Sequence, residues 1–213
     1  MVHMNIGIIG SGNVGGTLGK RWAQGGHSVV FSARNPDSDE LKELVRAAGP
    51  NARAANPAAA VADAQVVLLA TPWTANQQAL SAAGDLSGKI LIDATNPLKP
   101  DFSGMDGSVP TSGAEQAAQW APGALVVKAF NTVGSNIMAN PLFGDTRPVL
   151  FYCGDNAAAK QTVHQLAVEL GFDPHDAGPL KQARTLEYFG LLWISLAAFY
   201  GYGREIAFQF LRR

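Results

Sequence analysis

The pattern Gly10-Ser11-Gly12-Asn13-Val14-Gly15 lies between a short apolar run, Asn5-Ile6-Gly7-Ile8-Ile9, and a stretch in which Val14, Leu18 and Trp22 recur at helical spacing. A strand, a glycine turn and a helix in immediate succession leave few folds open. Gly10 permits the tight turn, Gly12 lets the backbone approach a pyrophosphate, and Gly15 lets the helix pack close to the strand. The helix N-terminus adds free N–H groups and the positive end of its dipole. Six residues of this kind would also suit an ordinary turn. Their place after the first strand and at the start of the first helix is what a dinucleotide-binding loop requires.

The rest of the chain repeats the rhythm. Gly25-Gly26 closes the first helix, Ser28-Val29-Val30-Phe31 reads as a second strand, and residues 39–48 read as a second helix. Gln65-Val66-Val67-Leu68-Leu69-Ala70, Lys89-Ile90-Leu91-Ile92-Asp93 and Ala124-Leu125-Val126-Val127-Lys128 are further apolar runs separated by polar or helical stretches. Strands that are apolar on both faces, alternating with helices, predict a parallel sheet covered on both sides. Beyond about residue 145 come a strand at 148–152, a helix at 157–170 and a short strand at 172–176. Two closing helices are expected over about 179–201 and 204–212. The expected architecture is therefore α/β, a Rossmann-type parallel sheet with a small α+β C-terminal extension ending in two helices. We divide it into residues 1–145, binding the nucleotide, and residues 146–213, providing acceptor-site and dimer contacts.

The end of the second strand bears on which dinucleotide is bound. NAD sites place a carboxylate there for the ribose hydroxyls. Here the residues are Ser32-Ala33-Arg34-Asn35, with no acid before Asp37. Arg34 can pair with a 2′-phosphate through a charge-assisted fork and Ser32 can donate a hydrogen bond, which favours NADP. Three later strand ends carry small, hydroxyl or amide residues: Thr71-Pro72-Trp73, Thr95-Asn96-Pro97 and Asn131-Thr132-Val133. Each suits a turn or a cap alone; together, on the ligand edge of such a sheet, they favour a cofactor pocket. Residues 99–112 have no periodicity and read as a loop on that same edge.

Several classes are disfavoured. The net charge is −1 with no basic run, which speaks against a nucleic-acid partner. Tyr188 to Gly203 carries no charge, but at about 24 Å as a helix it falls short of a bilayer, so no membrane association is expected. One cysteine, Cys153, rules out an internal disulfide framework and points to a reducing, cytoplasmic setting; no leader-like pattern precedes the first strand. His27, His164 and His175 lack ligand spacing, so no metal site is expected. No general acid or base stands out, and the catalytic residues stay unassigned. Asp93 suits either a ribose hydroxyl or a turn. The aromatic series Tyr188, Phe189, Trp193, Phe199, Tyr200 and Tyr202 is either core or the interface of a homodimer.

With these motifs in hand, the chain resembles the F-420-dependent NADP reductases, and more distantly the cytosolic NADPH-flavin domains of six-transmembrane metalloreductases. The resemblance rests on Gly10 to Gly15, Gly26-His27, Ser32-Ala33-Arg34-Asn35-Pro36, Thr71-Pro72-Trp73 and Lys128-Ala129-Phe130-Asn131-Thr132. It continues through Cys153-Gly154-Asp155 and Asp176-Ala177-Gly178-Pro179-Leu180, followed by Arg184 and Glu187. It implies hydride transfer between NADP(H) and a small-molecule redox substrate with a flavin-type ring: coenzyme F-420, FMN or FAD. It places Ser32 and Arg34 on the 2′-phosphate, Thr71, Pro72 and Trp73 on the adenosine-ribose side, and Asn96, Pro97, Asn131 and Thr132 near the nicotinamide. Archaeal members carry a His-Thr pair where this chain has Asn131-Thr132, and Phe130-Asn131-Thr132 is closer to the metalloreductase pattern. The alternatives are a β-hydroxyacid or imine-type dehydrogenase, which usually needs a larger helical C-terminal domain, and a non-enzymatic NADP-binding regulatory module.

Overall fold

The computed structural model describes residues 2–33 and 35–213. The strands are β1 (Asn5–Ile9), β2 (Ser28–Ser32), β3 (Ala52–Ala55), β4 (Val66–Leu69), β5 (Ile90–Asp93), β6 (Leu125–Lys128), β7 (Val149–Gly154) and β8 (Asp173–Asp176). Between them run α1 (Asn13–Gln24), α2 (Asp39–Ala48), α3 (Pro57–Val61), α4 (Asn76–Ala83), α5 (Gly113–Trp120), α6 (Ser135–Ala139) and α7 (Ala157–Glu169), and α8 (Ala183–Ala198) follows β8. The strands form one sheet in the order β3-β2-β1-β4-β5-β6-β7-β8. Pairing is parallel from β3 to β6, antiparallel between β6 and β7, and parallel again between β7 and β8. This is the expected α/β sheet, and its topological switch point lies where β1 and β4 are neighbours. Ligands of such sheets bind at the carboxyl edge of that point.

Side-chain alternation divides the interior into two layers. Ile6, Ile8, Val66, Leu68, Ile92 and Val127 face a cluster built with α1, α2 and α7. Ile9, Val67, Leu69, Leu91 and Val126 face a second cluster built with α4, α5 and α8. Trp22 of α1 is the largest fully buried side chain, edge-on to Phe130 with 5.8 Å between ring centres, and Phe130 meets Phe172 at 6.2 Å. Phe130 follows β6 with φ 65, a left-handed backbone unusual for a bulky residue. Arg21 ties the layer together by donating to the carbonyls of Met138 (2.9 Å) and Leu170 (2.7 Å), at the ends of α6 and α7.

Two features depart from the sequence-based expectation. β3 has no counterpart among the strands expected from sequence; it is an edge strand of four small or polar residues, so it has no apolar run to reveal it. The expected helix over 204–212 does not form, although α7 and α8 do furnish the C-terminal part with two helices. Gly201 (φ 78) and Gly203 (φ 71) break the helical path, and the segment beyond them runs extended. Tertiary partners reward that conformation. β6 pairs with β7 only at its far end, so the N–H of Val149, at the start of β7, donates to the Phe208 carbonyl at 2.9 Å. The Trp193 indole donates to the Ile206 carbonyl at 2.8 Å, Phe208 stacks against Phe189 at 4.6 Å, and Phe210 lies 4.6 Å from the His175 ring. The aromatic series of the sequence is thus split. Phe189 and Trp193 belong to this seam, whereas Tyr188, Phe199, Tyr200 and Tyr202 are exposed.

If the extended segment is part of the packed structure, Phe208→Ala costs about 1–2 kcal/mol from lost apolar contact and stacking. For a chain of this size that is a fall of roughly 2–8 °C in Tm. An unchanged Tm would contradict this packing.

Candidate functional site

The carboxyl ends of β1, β2, β4, β5 and β6 converge on one edge, and the loops leaving them form the candidate site. Gly10 holds φ 98, and a Cβ there would lie 2.7 Å from the Ala70 carbonyl oxygen, so the loop after β1 presses against the end of β4. A Cβ on Gly15 would collide with the Gly10 carbonyl oxygen, whereas one on Gly12 would project into open space. That space faces the first turn of α1. The helices α2, α3, α5 and α7 each begin with a side chain accepting from a first-turn N–H: Ser38, Asn56, Ser112 and Asn156. α1 begins at Gly12 with no side-chain cap. α4, α6 and α8 are uncapped too, but α4 and α8 continue from a preceding 3-10 turn and a Cβ on Gly134, which starts α6, would meet Trp193, so the turn at Gly12 is the one left open. Its first amide donors are left for another partner, and a phosphate fits them in charge and reach.

Three cavities lie on this side of the molecule, two of them against the turn. One of about 380 Å³ runs between α1 and α2 and is lined by Ser11, Gly12, Asn13, Thr17, Lys20, Ala33 and Ser38, among others. A second of about 410 Å³ lies across the switch point, between Val14, Thr71, Pro72, Trp73, Thr95, Asn96 and Phe102. A third of about 240 Å³ lies between the 97–111 segment and α8, lined by Pro97, Lys99, Asp106, Thr111, Arg184, Glu187 and Tyr188. The 99–112 segment does lie on the ligand edge: Leu98 bridges to Met105, and the Trp73 indole donates to Asp106 at 3.3 Å.

The residues singled out from the sequence divide as follows. Ser11, Gly12 and Asn13 line the first cavity, Val14, Thr71, Pro72, Trp73 and Asn96 the second, and Pro97 the third. Ser32 is buried at the end of β2, and Asn35 is exposed, its side chain accepting from the Asp37 N–H at 3.2 Å. Arg34 lies outside the described residues. Asn131 and Thr132 are buried and line none of these cavities. Asn131 still belongs to the wall, because its amide donates to the Asn96 side-chain oxygen at 2.9 Å while Asn96 donates to the Asn131 carbonyl at 2.8 Å. A further donation reaches the Leu186 carbonyl of α8. Among the described residues the buried Asn131 Oδ1 has no partner, an acceptor free for a donor group.

Beneath this wall is a cluster whose members the sequence does not bring together. Lys128 ends β6 opposite Asp93, which ends β5, in direct parallel register. Its ammonium lies 2.9 Å from Asp93 Oδ2 and 2.8 Å from Glu187 Oε1 of α8, and it also donates to the Thr95 carbonyl. Lys128 and Asp93 have no solvent exposure, and Glu187 has 1%. Burial alone pushes the Lys128 pKa down, but the two carboxylates outweigh it and hold the ammonium above its ordinary value. The other carboxylate atoms are also occupied. Asp93 Oδ1 accepts from the Thr95 N–H (2.9 Å) and hydroxyl (2.7 Å). Glu187 accepts from the N–H groups of Gly113 (3.0 Å) and Ala114 (3.2 Å) at the start of α5. A polar chain continues sideways as Asn76 donates to Thr95 (2.9 Å) and Thr71 donates to Asn76 (2.7 Å). Asp93 is therefore committed to its turn and its lysine rather than facing a cavity. The available signal was two adjacent apolar strands, each ending on a charge of opposite sign.

Two other groups have defined roles. Arg184 holds Glu115 in a two-armed pair at 2.9 and 2.9 Å, which keeps the Glu115 carboxyl below its ordinary range. Cys153 is fully buried; burial pushes its thiol up to about 12, so it is no nucleophile at neutral pH.

Comparison with known proteins agrees with this geometry. Residues 5–97 match the family described as NADP oxidoreductase, coenzyme F420-dependent. The chain is 32% identical over 215 residues to the F420-dependent NADP reductase of Methanothermobacter thermautotrophicus, covering 91% of this chain and 89% of that one. It is 36% identical over 186 residues to metalloreductase STEAP3 of Rattus norvegicus, covering 85% of this chain. It spans only 35–43% of the length of the curated metalloreductases it matches. A crystal structure described as an F420-dependent NADP reductase from Arthrobacter sp. FB24 superposes with a TM-score of 0.86 at 33% identity, over 98% of this chain and 100% of that one.

Proposed function

This chain belongs to the family of coenzyme F420-dependent NADP oxidoreductases, and from that premise we propose that it transfers hydride between NADP(H) and a flavin-type ring, either coenzyme F-420 or FMN or FAD. The observation that carries the reading is the uncapped first turn of α1, opening with Gly12 onto free space at the switch point of the sheet. In this reading the backbone from Gly10 to Gly15 holds the pyrophosphate, and Ser32, Arg34 and Asn35 take the 2′-phosphate. Thr71, Pro72 and Trp73 flank the ribose, and Asn96, Pro97, Asn131 and Thr132 surround the nicotinamide end. The free Asn131 oxygen suits the amide of a carboxamide group.

When bound, NADPH supplies the hydride. The protein's own work is then to align two rings and exclude water, which accounts for a site with no designated acid or base. The 240 Å³ cavity between the 97–111 segment and α8 is the acceptor side, so residues 1–145 bind nucleotide while residues 146–213 bring α8 to the acceptor. The small acceptor and the absence, among the described residues, of a helix long and apolar enough to cross a membrane suit a cytoplasmic enzyme. The exposed apolar side chains Tyr188, Leu192, Phe199, Tyr200 and Tyr202 would be covered by a second copy in a homodimer.

Three measurements test these statements. NADPH oxidation is expected with at least one of F-420, FMN and FAD; failure with all three defeats the flavin-type reading. Arg34→Ala is expected to weaken NADPH binding by about 1.5–3 kcal/mol while sparing NADH, the worth of a charge-assisted contact; equal loss for both refutes the 2′-phosphate role. Light scattering after size exclusion is expected to give twice the chain mass, and a clean monomer removes the dimer.

A further inference from the structure

The Asp93–Lys128–Glu187 cluster carries a charge that can be read from its hydrogen bonds. Every contact of Glu187 within the cluster is with a donor: the Lys128 ammonium and the N–H groups of Gly113 and Ala114. Among the described residues no acceptor is placed to take a carboxyl proton, so Glu187 carries its negative charge. Asp93 likewise meets only donors: the Thr95 N–H, the Thr95 hydroxyl and Lys128. The Thr95 hydroxyl already accepts from Asn76, so its own proton points at Asp93. Lys128 donates to Asp93 and the Thr95 carbonyl and lies 2.8 Å from Glu187, and the two carboxylates beside it keep it an ammonium. Two carboxylates and one ammonium leave one net negative charge, all of it at most 1% exposed.

That charge lies behind the walls of both inner cavities. Thr95 and its neighbour Asn96 line the 410 Å³ cavity and Glu187 lines the 240 Å³ cavity. A buried charge that water cannot screen acts strongly on whatever changes charge beside it. We propose that Asp93, Lys128 and Glu187 are a fixed negative source that favours the oxidised, cationic nicotinamide over its neutral reduced form, and so drives hydride out of NADPH toward the acceptor. This rests on the NADP(H) reading given above. The charge balance is simple. Loss of hydride takes both electrons of the C4–H bond to the flavin-type acceptor, which gains a solvent proton, and leaves one positive charge on the ring. The cluster acts on that ring through the wall and so is a positioning and electrostatic element, not a catalytic group.

The test is binding of NADP⁺ and NADPH, each measured by calorimetry on the full chain without acceptor. Asp93→Asn and Glu187→Gln each bring the cluster to neutrality from opposite ends, so the inference does not depend on either one folding. Each is expected to raise the ratio of Kd for NADP⁺ to Kd for NADPH by about tenfold, the size of one unit charge across a cavity wall at an effective dielectric of about 20. The double variant Asp93→Asn/Lys128→Met restores one net negative charge and is expected to return the ratio toward the wild-type value. A purely structural role predicts equal weakening of both forms and a double variant no better than the single; that result overturns the inference. If the wild-type chain binds neither form, the nucleotide reading fails first and the inference falls with it.

Discussion

One ammonium group holds the carboxyl edge of this sheet together. Lys128 joins the last residue of β5 to its own strand and both to α8, and through Glu187 it reaches the start of α5. Such a cluster is costly to desolvate, and it survives because each charged atom is matched by a partner of the opposite kind. An apolar core could join the same elements more cheaply, but would not fix the directions in which Asn96 and Asn131 point. The pairing of those two amides, and their link to the Leu186 carbonyl, depends on α8 lying in register with the strand ends.

The opposite principle governs the phosphate loop. Four helices, α2, α3, α5 and α7, finish their own hydrogen bonding with Ser or Asn at the first position; at α1 a glycine stands there with open space beside it, whereas the glycine that starts α6 is crowded by Trp193. A position that is locally suboptimal but sterically open is where a ligand supplies what the sequence omits. The contrast within one chain is more informative than the glycine pattern, because it separates a turn built for closure from one built for reception.

Much of this was legible in the residues themselves. Strands apolar on both faces announced the parallel sheet, and Ser38 and Gly49 bounded α2 where sequence placed it. What stayed hidden depended on partners distant in the chain. β3 is a strand because β2 lies beside it, not because Ala52–Ala55 prefers to be one. Residues 204–212 are expected as a helix, yet the open start of β7 and the face of α8 draw them out straight. Lys128 and Glu187 are 59 positions apart in the chain, and neither residue announces the other. The resemblance named the neighbourhood of the site; only the register of β5 against β6 turned two terminal charges into one ion pair.

The left-handed backbone at Phe130 makes the two layers answer to each other. Its ring is gripped by Trp22 and Phe172 on one side of the sheet, while the very next residue, Asn131, bonds to Asn96 and α8 on the other. A strained joint of this kind keeps its shape only while its clamp is full. Remote repacking around Trp22 would thus be felt as a change of aim at the amide wall, a lever whose fulcrum is a single peptide unit.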